Sequence, residues 1–283
     1  MSEPVTSTTA DSLLRSILDG PLLVGNLPES KRFCRSNLKL PEVLPKLNLQ
    51  QKLGHLFEDA LASLLVASHK VDLLEQNLQL RDEDRTTVGE LDFLIREHSN
   101  NTLVHLELAT KFYLAVETPS GITLPGPDSR DNYFRKLSRL RDHQLKLPMK
   151  FRSCLPSEYQ SEPIATRHLI YGCLFDHVDA SQAYTPEFVL DNCRRGKWIH
   201  EHDCERHFGS DSKFELIPKA LWPVPFELLK GVTLQVWTPQ GSIDRCVMVR
   251  ANQDLTPYFI APTNYPIQKH NRDATISKRD WLT

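Results

Sequence analysis

The pattern of apolar residues predicts an α/β fold, its core ordered helix, three-strand meander, helix, strand, with a mixed, β-rich C-terminal extension. Three observations predict it. Residues 52 to 68 carry an apolar stripe at helical spacing. Residues 71 to 116 hold three β-rich runs separated by polar turns. A second amphipathic helix over 131 to 147 is followed by the apolar, β-rich run "RHLIYGCLF" at 167 to 175.

Residues 1 to 48 form an N-terminal helix and loop segment. Its first ten residues are polar and expected to fray. "DSLLRSILD" is a short helix opened by Asp11 or Ser12, and Pro21, Pro28, Pro41 and Pro45 break the rest of the segment into loop. The core spans 49 to 180. In "KLGHLFEDALASLLVAS", Leu53, Leu56, Phe57, Ala60, Leu61, Leu64 and Leu65 recur at helical spacing, with Glu58 at the edge of the stripe. "VDLLEQNLQL" alternates as a strand, "DEDRTT" turns the chain, and strands over 88 to 96 and 103 to 116 follow across "HSNN". "DNYFRKLSRLRDHQLKL" is the second helix, with Asp131 as its expected cap.

The extension, 181 to 283, packs on the core or extends its sheet. "TPEFVLDNCRR" reads as a helix with Pro186 in its first turn. "GVTLQVWTPQGSIDRCVMVRA" reads as two strands around "TPQGS", and "YFIAP" as one more.

The 283 residues are 40% hydrophobic, enough for one large domain or two smaller ones. Lys and Arg total 34 against 36 Asp and Glu, so the chain is not a polycation and any nucleic-acid footprint has to be a local patch. No stretch approaches the roughly 20 apolar residues of a membrane helix. The N-terminus lacks the basic and apolar regions of a secretory signal. The six cysteines contain no C-x-x-C pair and read as reduced thiols, which predicts a cytoplasmic protein without membrane attachment.

The candidate chemistry lies in "GELDFLIREHSNNTLVHLELATKFYLAV". Strand side chains alternate between faces, so His105, Glu107, Ala109 and Lys111 point one way on one strand, while Glu90, Asp92 and Leu94 share a face on the other. Antiparallel pairing brings Asp92 and Glu107 together. Buried carboxylates are costly unless paired or metal-bound. Two side by side repel, and a cation with oxygen ligands, Mg²⁺ or alternatively Mn²⁺, is the natural remedy. Lys111 suits holding an anion or helping to activate a metal-bound water, and the set as a whole suits phosphodiester hydrolysis. The same spacing also fits a half-exposed sheet on which both acids face water and Lys111 is their cross-strand partner.

This element order, with one acid in the second strand and another in the third, resembles the core of the PD-(D/E)XK nuclease superfamily, the restriction-endonuclease-like fold. The resemblance implies that Glu58, Asp92, Glu107 and Lys111 converge on metal, with Asp92 and Glu107 as ligands and the Leu108 backbone as a third oxygen. Two departures stand out. The usual Glu-x-Lys spacing would put lysine at Ala109, and Leu91 rather than proline precedes Asp92. "LGHLFEDAL", "TVGELDFLIRE", "HLELATKFYLAV" and "LPGPDSRDNYFRKLSRLRDHQL", in that order, resemble a bacterial family known as domain of unknown function eighteen fifty-three.

Two further clusters bear on function. Residues 130 to 152 hold eight basic residues against Asp131 and Asp142, which suits phosphate contact or a solvated helix face. Arg130, Arg135, Lys136, Arg139 and Gln144 are the candidate contacts to DNA or RNA. "CRRGKWIHEHDCERHFG" concentrates Cys193, His200, His202, Cys204 and His207, but their spacing matches no familiar zinc knuckle or finger, and His200, His202 and Cys204 alternate as on one face of a strand. Zinc is therefore not expected there. Trp198, Trp222, Trp237 and Trp281 suit core packing or base stacking. The expected function is Mg²⁺-dependent cleavage of DNA or RNA. Its alternative is a catalytically inactive nucleic-acid-binding or partner-docking protein on the same fold.

Overall fold

The computed structural model describes residues 7–238, 242–252 and 254–266. In chain order its elements are α1 (Ser7–Asp19), β1 (Lys31–Arg32), α2 (Leu53–Val66), β2 (Val71–Arg81), β3 (Thr87–Glu97), β4 (Thr102–Leu114), β5 (Val116–Thr118), β6 (Gly121–Thr123), α3 (Tyr133–Asp142) and α4 (Leu147–Lys150). After these come β7 (Ile164–His177), β8 (Arg194–His200), α5 (Cys204–Phe208), β9 (Phe214–Leu216), β10 (Gln235–Trp237), β11 (Val247–Ala251) and β12 (Pro257–Ala261).

The fold is mixed α/β. One sheet of ten strands runs β10-β9-β11-β12-β8-β7-β4-β3-β2, with β1 alongside β7. β2, β3 and β4 form an antiparallel meander. β4, β7, β8 and β12 are successive parallel neighbours, and antiparallel β11, β9 and β10 finish the far edge. The strands of the C-terminal third thus continue the same sheet.

Parallel strands are covered on both faces and read as nearly continuous apolar runs. β7 obeys this, being buried without a break from His168 to Asp176. Even-numbered residues of β4, Val104, Leu106 and Phe112 among them, pack with α1 and α2 through Leu14, Ile17, Phe57 and Leu61. The opposite face, through Tyr113 and Ile170, meets Tyr133 and Leu145. α2 holds its place because its whole apolar stripe from Leu56 to Leu65 is buried.

Several expected elements differ. α1 starts at Ser7, before Asp11, because Ala10 is already buried against the core. The helix expected to run from 131 to 147 ends at Asp142, and a short 3₁₀ turn and α4 replace its continuation. Pro148 lacks the N–H a continuous helix needs and sits instead in the first turn of α4. The cap is Asn132, whose side chain accepts from the Phe134 and Arg135 N–H groups, and not Asp131. "TPEFVLDNCRR" is not helical before β8. Phe188 has φ 66°, and the Leu190 N–H bonds the Leu23 carbonyl rather than its own chain four residues back. Strands β10 and β11 exist, but β9 lies between them, so they are not a hairpin. Residues 239–241 of the expected turn lie outside the described residues. Among the described residues no helix is long and apolar enough to cross a membrane.

Candidate active-site cleft

The β3–β4 ladder runs from Glu97–Thr102 to Phe93–Leu106 and stops there. β3 stays paired with β2 through Leu91, Glu90 and Gly89, so it leaves β4 without leaving the sheet. Asp92 and Glu107 are the first residues beyond the last rung and share a face. Asp92 Oδ2 accepts the Leu108 N–H at 2.8 Å, where a further rung would have used it. The Leu108 carbonyl lies on the same side of its strand as that N–H, toward the opening. Gly89 leaves room for α4, because a Cβ there would come within 2.4 Å of the Leu147 side chain.

The carboxylates are badly solvated. Glu107 is 6% exposed, and its Oε2 has no hydrogen-bond partner. Burial pushes its pKa up to about 7, while the Gln144 side chain and Lys111 oppose the rise and Glu58 and Glu90 add to it. Asp92 is held well above the ordinary carboxylate range, first by burial and next by the Glu107 charge; the Leu108 N–H opposes. His105, two residues before Glu107 on the same face, is fully buried, and neither ring nitrogen has a hydrogen-bond partner. Its Nε2 lies 3.5 Å from Glu107 Oε2. Burial lowers the imidazole to about 4, so it is neutral at pH 7. Buried polar atoms are normally satisfied, and orphans in contact need an explanation.

Glu58 reaches the same space from α2, where His55 Nδ1 lies 3.1 Å from its Oε2. Its charge bears on both Asp92 and Glu107. Lys111 lies about 6–7 Å along the strand from Ala109. Burial lowers its pKa, and Asp131, Glu107 and Asp92 pull it back up against Lys136. Lys111 pairs with Gly172 of β7, which has φ 150°. A Cβ at Gly172 would lie 1.7 Å from the Lys111 carbonyl oxygen, so only glycine lets the two backbones meet here.

A cleft of about 1850 Å³ contains these groups. Its walls are the start of α2, β4 from Glu107 to Tyr113, the segment from Asp128 to Gln144, and parts of the C-terminal third including Pro218–Trp222 and Arg245–Met248. Lys52, Arg130, Lys136, Arg139, Lys219 and Arg245 also line it. Of the expected nucleic-acid contacts, Arg130, Lys136, Arg139 and Gln144 reach the cleft. Arg135 does not line it; its guanidinium donates to the Arg130 carbonyl. Arg130 itself is paired with Asp128 at 2.6 Å. Arg141 is spent on Glu29 through two bonds of 2.9 Å, and Arg152 on the Gln160 and Glu162 carbonyls.

Of the five Cys and His of the C-terminal cluster, Cys193, Cys204 and His207 turn to other partners. β8 ends at His200, and a 3₁₀ turn and α5 break the expected alternation. Cys193 packs near Tyr113 and Tyr133. The Cys204 thiol faces the His200 carbonyl at 3.6 Å, and His207 packs edge-on to Phe208. His200 and His202 stay together and are joined by Asp203. Among the described residues this is the one trio of His, Cys, Asp or Glu whose ligand atoms all lie within 4.8 Å of one another. The carboxylate oxygens of Glu58, Asp92 and Glu107 do not all come within that span of one another.

Trp198 donates to the Ala115 carbonyl at 2.9 Å from within the core, and Trp237 packs on Phe214. Trp222 lines the cleft, with Lys219 Nζ 5.8 Å from its ring. Trp281 lies outside the described residues. Sequence reasoning set His105 on the right face but missed its isolation, and it missed Gly172. The signal for both was present: a lone histidine in "LVHLELA" and a lone glycine inside the apolar run "LIYGCLF".

Fold and site together define a mixed α/β protein whose cleft holds a buried and a half-buried carboxylate, a lysine and several further basic residues. The family model described as "Domain of unknown function (DUF1853)" matches residues 31–270, and the chain belongs to that family. No curated protein and no solved structure matches it significantly.

Proposed function

We propose that this chain is a Mg²⁺-dependent nuclease of the PD-(D/E)XK type that hydrolyses phosphodiester bonds of DNA or RNA. The observation that carries the proposal is the pair Asp92 and Glu107 at the point where β3 leaves β4, with Asp92 half-buried, Glu107 buried and Glu107 Oε2 lacking any partner. Apolar burial of two adjacent carboxylates opposes folding unless something neutralises them. Their oxygen donors suit Mg²⁺, and Mn²⁺ as a substitute. Asp92, Glu107 and the Leu108 carbonyl would hold the ion. Bound there, it would supply charge neutralisation on a phosphate and a more acidic water.

The chain's own residues then take distinct roles. Glu58 adds negative charge from α2. Lys111, partly desolvated among acids, holds the attacking water or a phosphate oxygen in place. Gln144 orients the Glu107 carboxylate, whose pKa it lowers. Lys136 and Arg139 steady the nucleic-acid backbone at the rim. In hydrolysis water adds to phosphorus, the bond to the leaving sugar oxygen breaks, and that oxygen takes up a proton. The fold also favours this reading: helix, antiparallel meander, helix, then a strand parallel to the third. The free thiols and the lack of a membrane-crossing helix among the described residues suit work in the cytoplasm.

One observation favours a second reading, an inactive nuclease-fold protein that binds nucleic acid or docks a partner. Ala109 occupies the position where the superfamily places its lysine. Lys111→Met decides between the two. The nuclease reading expects cleavage of plasmid, single-stranded DNA or RNA to fall at least tenfold with binding retained. The binding reading expects no Mg²⁺-dependent cleavage in either protein.

A further inference from the structure

We propose a second, nitrogen-rich metal site at the C-terminal ends of β7 and β8, in which His200, His202 and Asp203 bind a borderline divalent transition-metal ion such as Zn²⁺. The site is independent of the cleft acids and of the nuclease reading.

A ring nitrogen from each histidine and a carboxylate oxygen of Asp203 lie within 4.8 Å of one another. Imidazole and carboxylate at that span suit Zn²⁺ and its neighbours in the first transition row, and not Mg²⁺. The supporting contacts are what a metal site requires. Ligating histidines almost always donate their other ring N–H to a carbonyl or carboxylate. His200 Nε2 lies 2.9 Å from the Tyr265 carbonyl, which makes Nε2 the donor and leaves Nδ1 with a lone pair. Ligating carboxylates are themselves anchored. Asp203 Oδ1 is held by Arg206 at 3.1 Å, while its Oδ2 turns to His202 Nε2 at 3.3 Å.

A third imidazole is close. The His177 ring at the end of β7 lies 6.2 Å from that of His200 and feels the charges of Asp203 and Asp179. Arg206 also lies 3.6 Å from Asp179, so it draws charge from both acids at the rim. Three protein ligands leave room in a four-coordinate shell for water or His177. His202 is half exposed, which gives an ion a way in. Fixing the turn after β8 would tie the end of that strand to Tyr265.

Co²⁺ is the probe, because four-coordinate Co²⁺ absorbs visibly. The full-length protein, stripped with chelator and titrated, should take up one equivalent with a tetrahedral spectrum, displaced by Zn²⁺. His202→Ala, a surface change, should weaken binding more than a hundredfold with unchanged circular dichroism. Asp203→Asn should weaken it more than tenfold. His207→Ala and the Asp92→Asn, Glu107→Gln double variant should leave it unchanged. No visible band in wild type, or the same Co²⁺ affinity in His202→Ala, would overturn the site. Failure of the cleft variants to cleave nucleic acid leaves this titration unaffected.

Discussion

The two halves of β4 differ in what they do with hydrogen bonds and charge. From Thr102 to Leu106 the strand has a rung to β3 at every position, and Leu103, Val104 and Leu106 are at most 1% exposed. From Glu107 onward β3 is gone, Asp92 takes the Leu108 N–H, and the strand carries an orphaned carboxylate oxygen and a desolvated lysine. His105 belongs to the laddered half by its backbone and to the open half by its side chain, which reaches Glu107. One half is built for stability. The other carries desolvated charge that costs stability until a proton or a cation neutralises it.

The largest expected effect strikes the open half, where Lys111 meets Gly172 of β7. Gly172→Ala would drive a methyl group into the Lys111 backbone, so we expect a loss of about 4 kcal/mol in urea unfolding. A loss below about 1 kcal/mol would mean that β7 adjusts and that the close approach is unimportant. Next comes a pair of neighbouring changes with opposite signs. Leu106→Ala should cost about 3 kcal/mol at every pH between 4 and 8. Glu107→Gln should instead stabilise the metal-free protein at pH 8, by an amount on the order of 3 kcal/mol, and do little at pH 4.

The pKa sets the sign of the second effect. Glu107 binds its proton more tightly folded, at about 7, than at the ordinary 4.5, so its contribution to stability is present below 4.5 and is lost as pH rises through 7. Asp92 shifts in the same direction. Mg²⁺ or Mn²⁺ should reverse the loss, raising Tm more at pH 8 than at pH 5, and Glu107→Gln should abolish the rise. Equal Tm shifts at both pH values would separate the carboxylates from the ion. The smallest effects belong to the rim. Lys136→Ala should weaken nucleic-acid binding and reduce its log–log salt slope by about 1, whereas Arg141→Ala, paired with Glu29, should leave the slope alone. Equal slopes for the two variants would remove α3 from the interface.

Residues with strong periodicity made half of this molecule legible. The α2 stripe, the meander and the β7 run announce themselves because burial on one or both faces dictates their composition. Strand parity, with antiparallel pairing across "HSNN", put Asp92 and Glu107 on one face. β9 and β10, three residues each, carry no period to detect, and β8 pairs with β12 across nearly sixty residues of intervening chain. "TPEFVLDNCRR" looks helical locally, but its Phe188 carbonyl and Leu190 N–H bond Gly25 and Leu23, a tertiary choice invisible in the segment itself. The isolation of Glu107 Oε2 was illegible for the same reason, since an unmet hydrogen bond depends on every element around it.

The central claim is that Asp92 and Glu107 make a metal-dependent phosphodiesterase of the open half of β4. Purified wild type and the Asp92→Ala, Glu107→Ala double variant should be compared on plasmid, single-stranded DNA and RNA, with Mg²⁺, with Mn²⁺ and with chelator. The account predicts cleavage by wild type only with metal, and at least a thousandfold less by the folded double variant. Equal, undiminished integrity of all three substrates with folded wild type and either metal would contradict it.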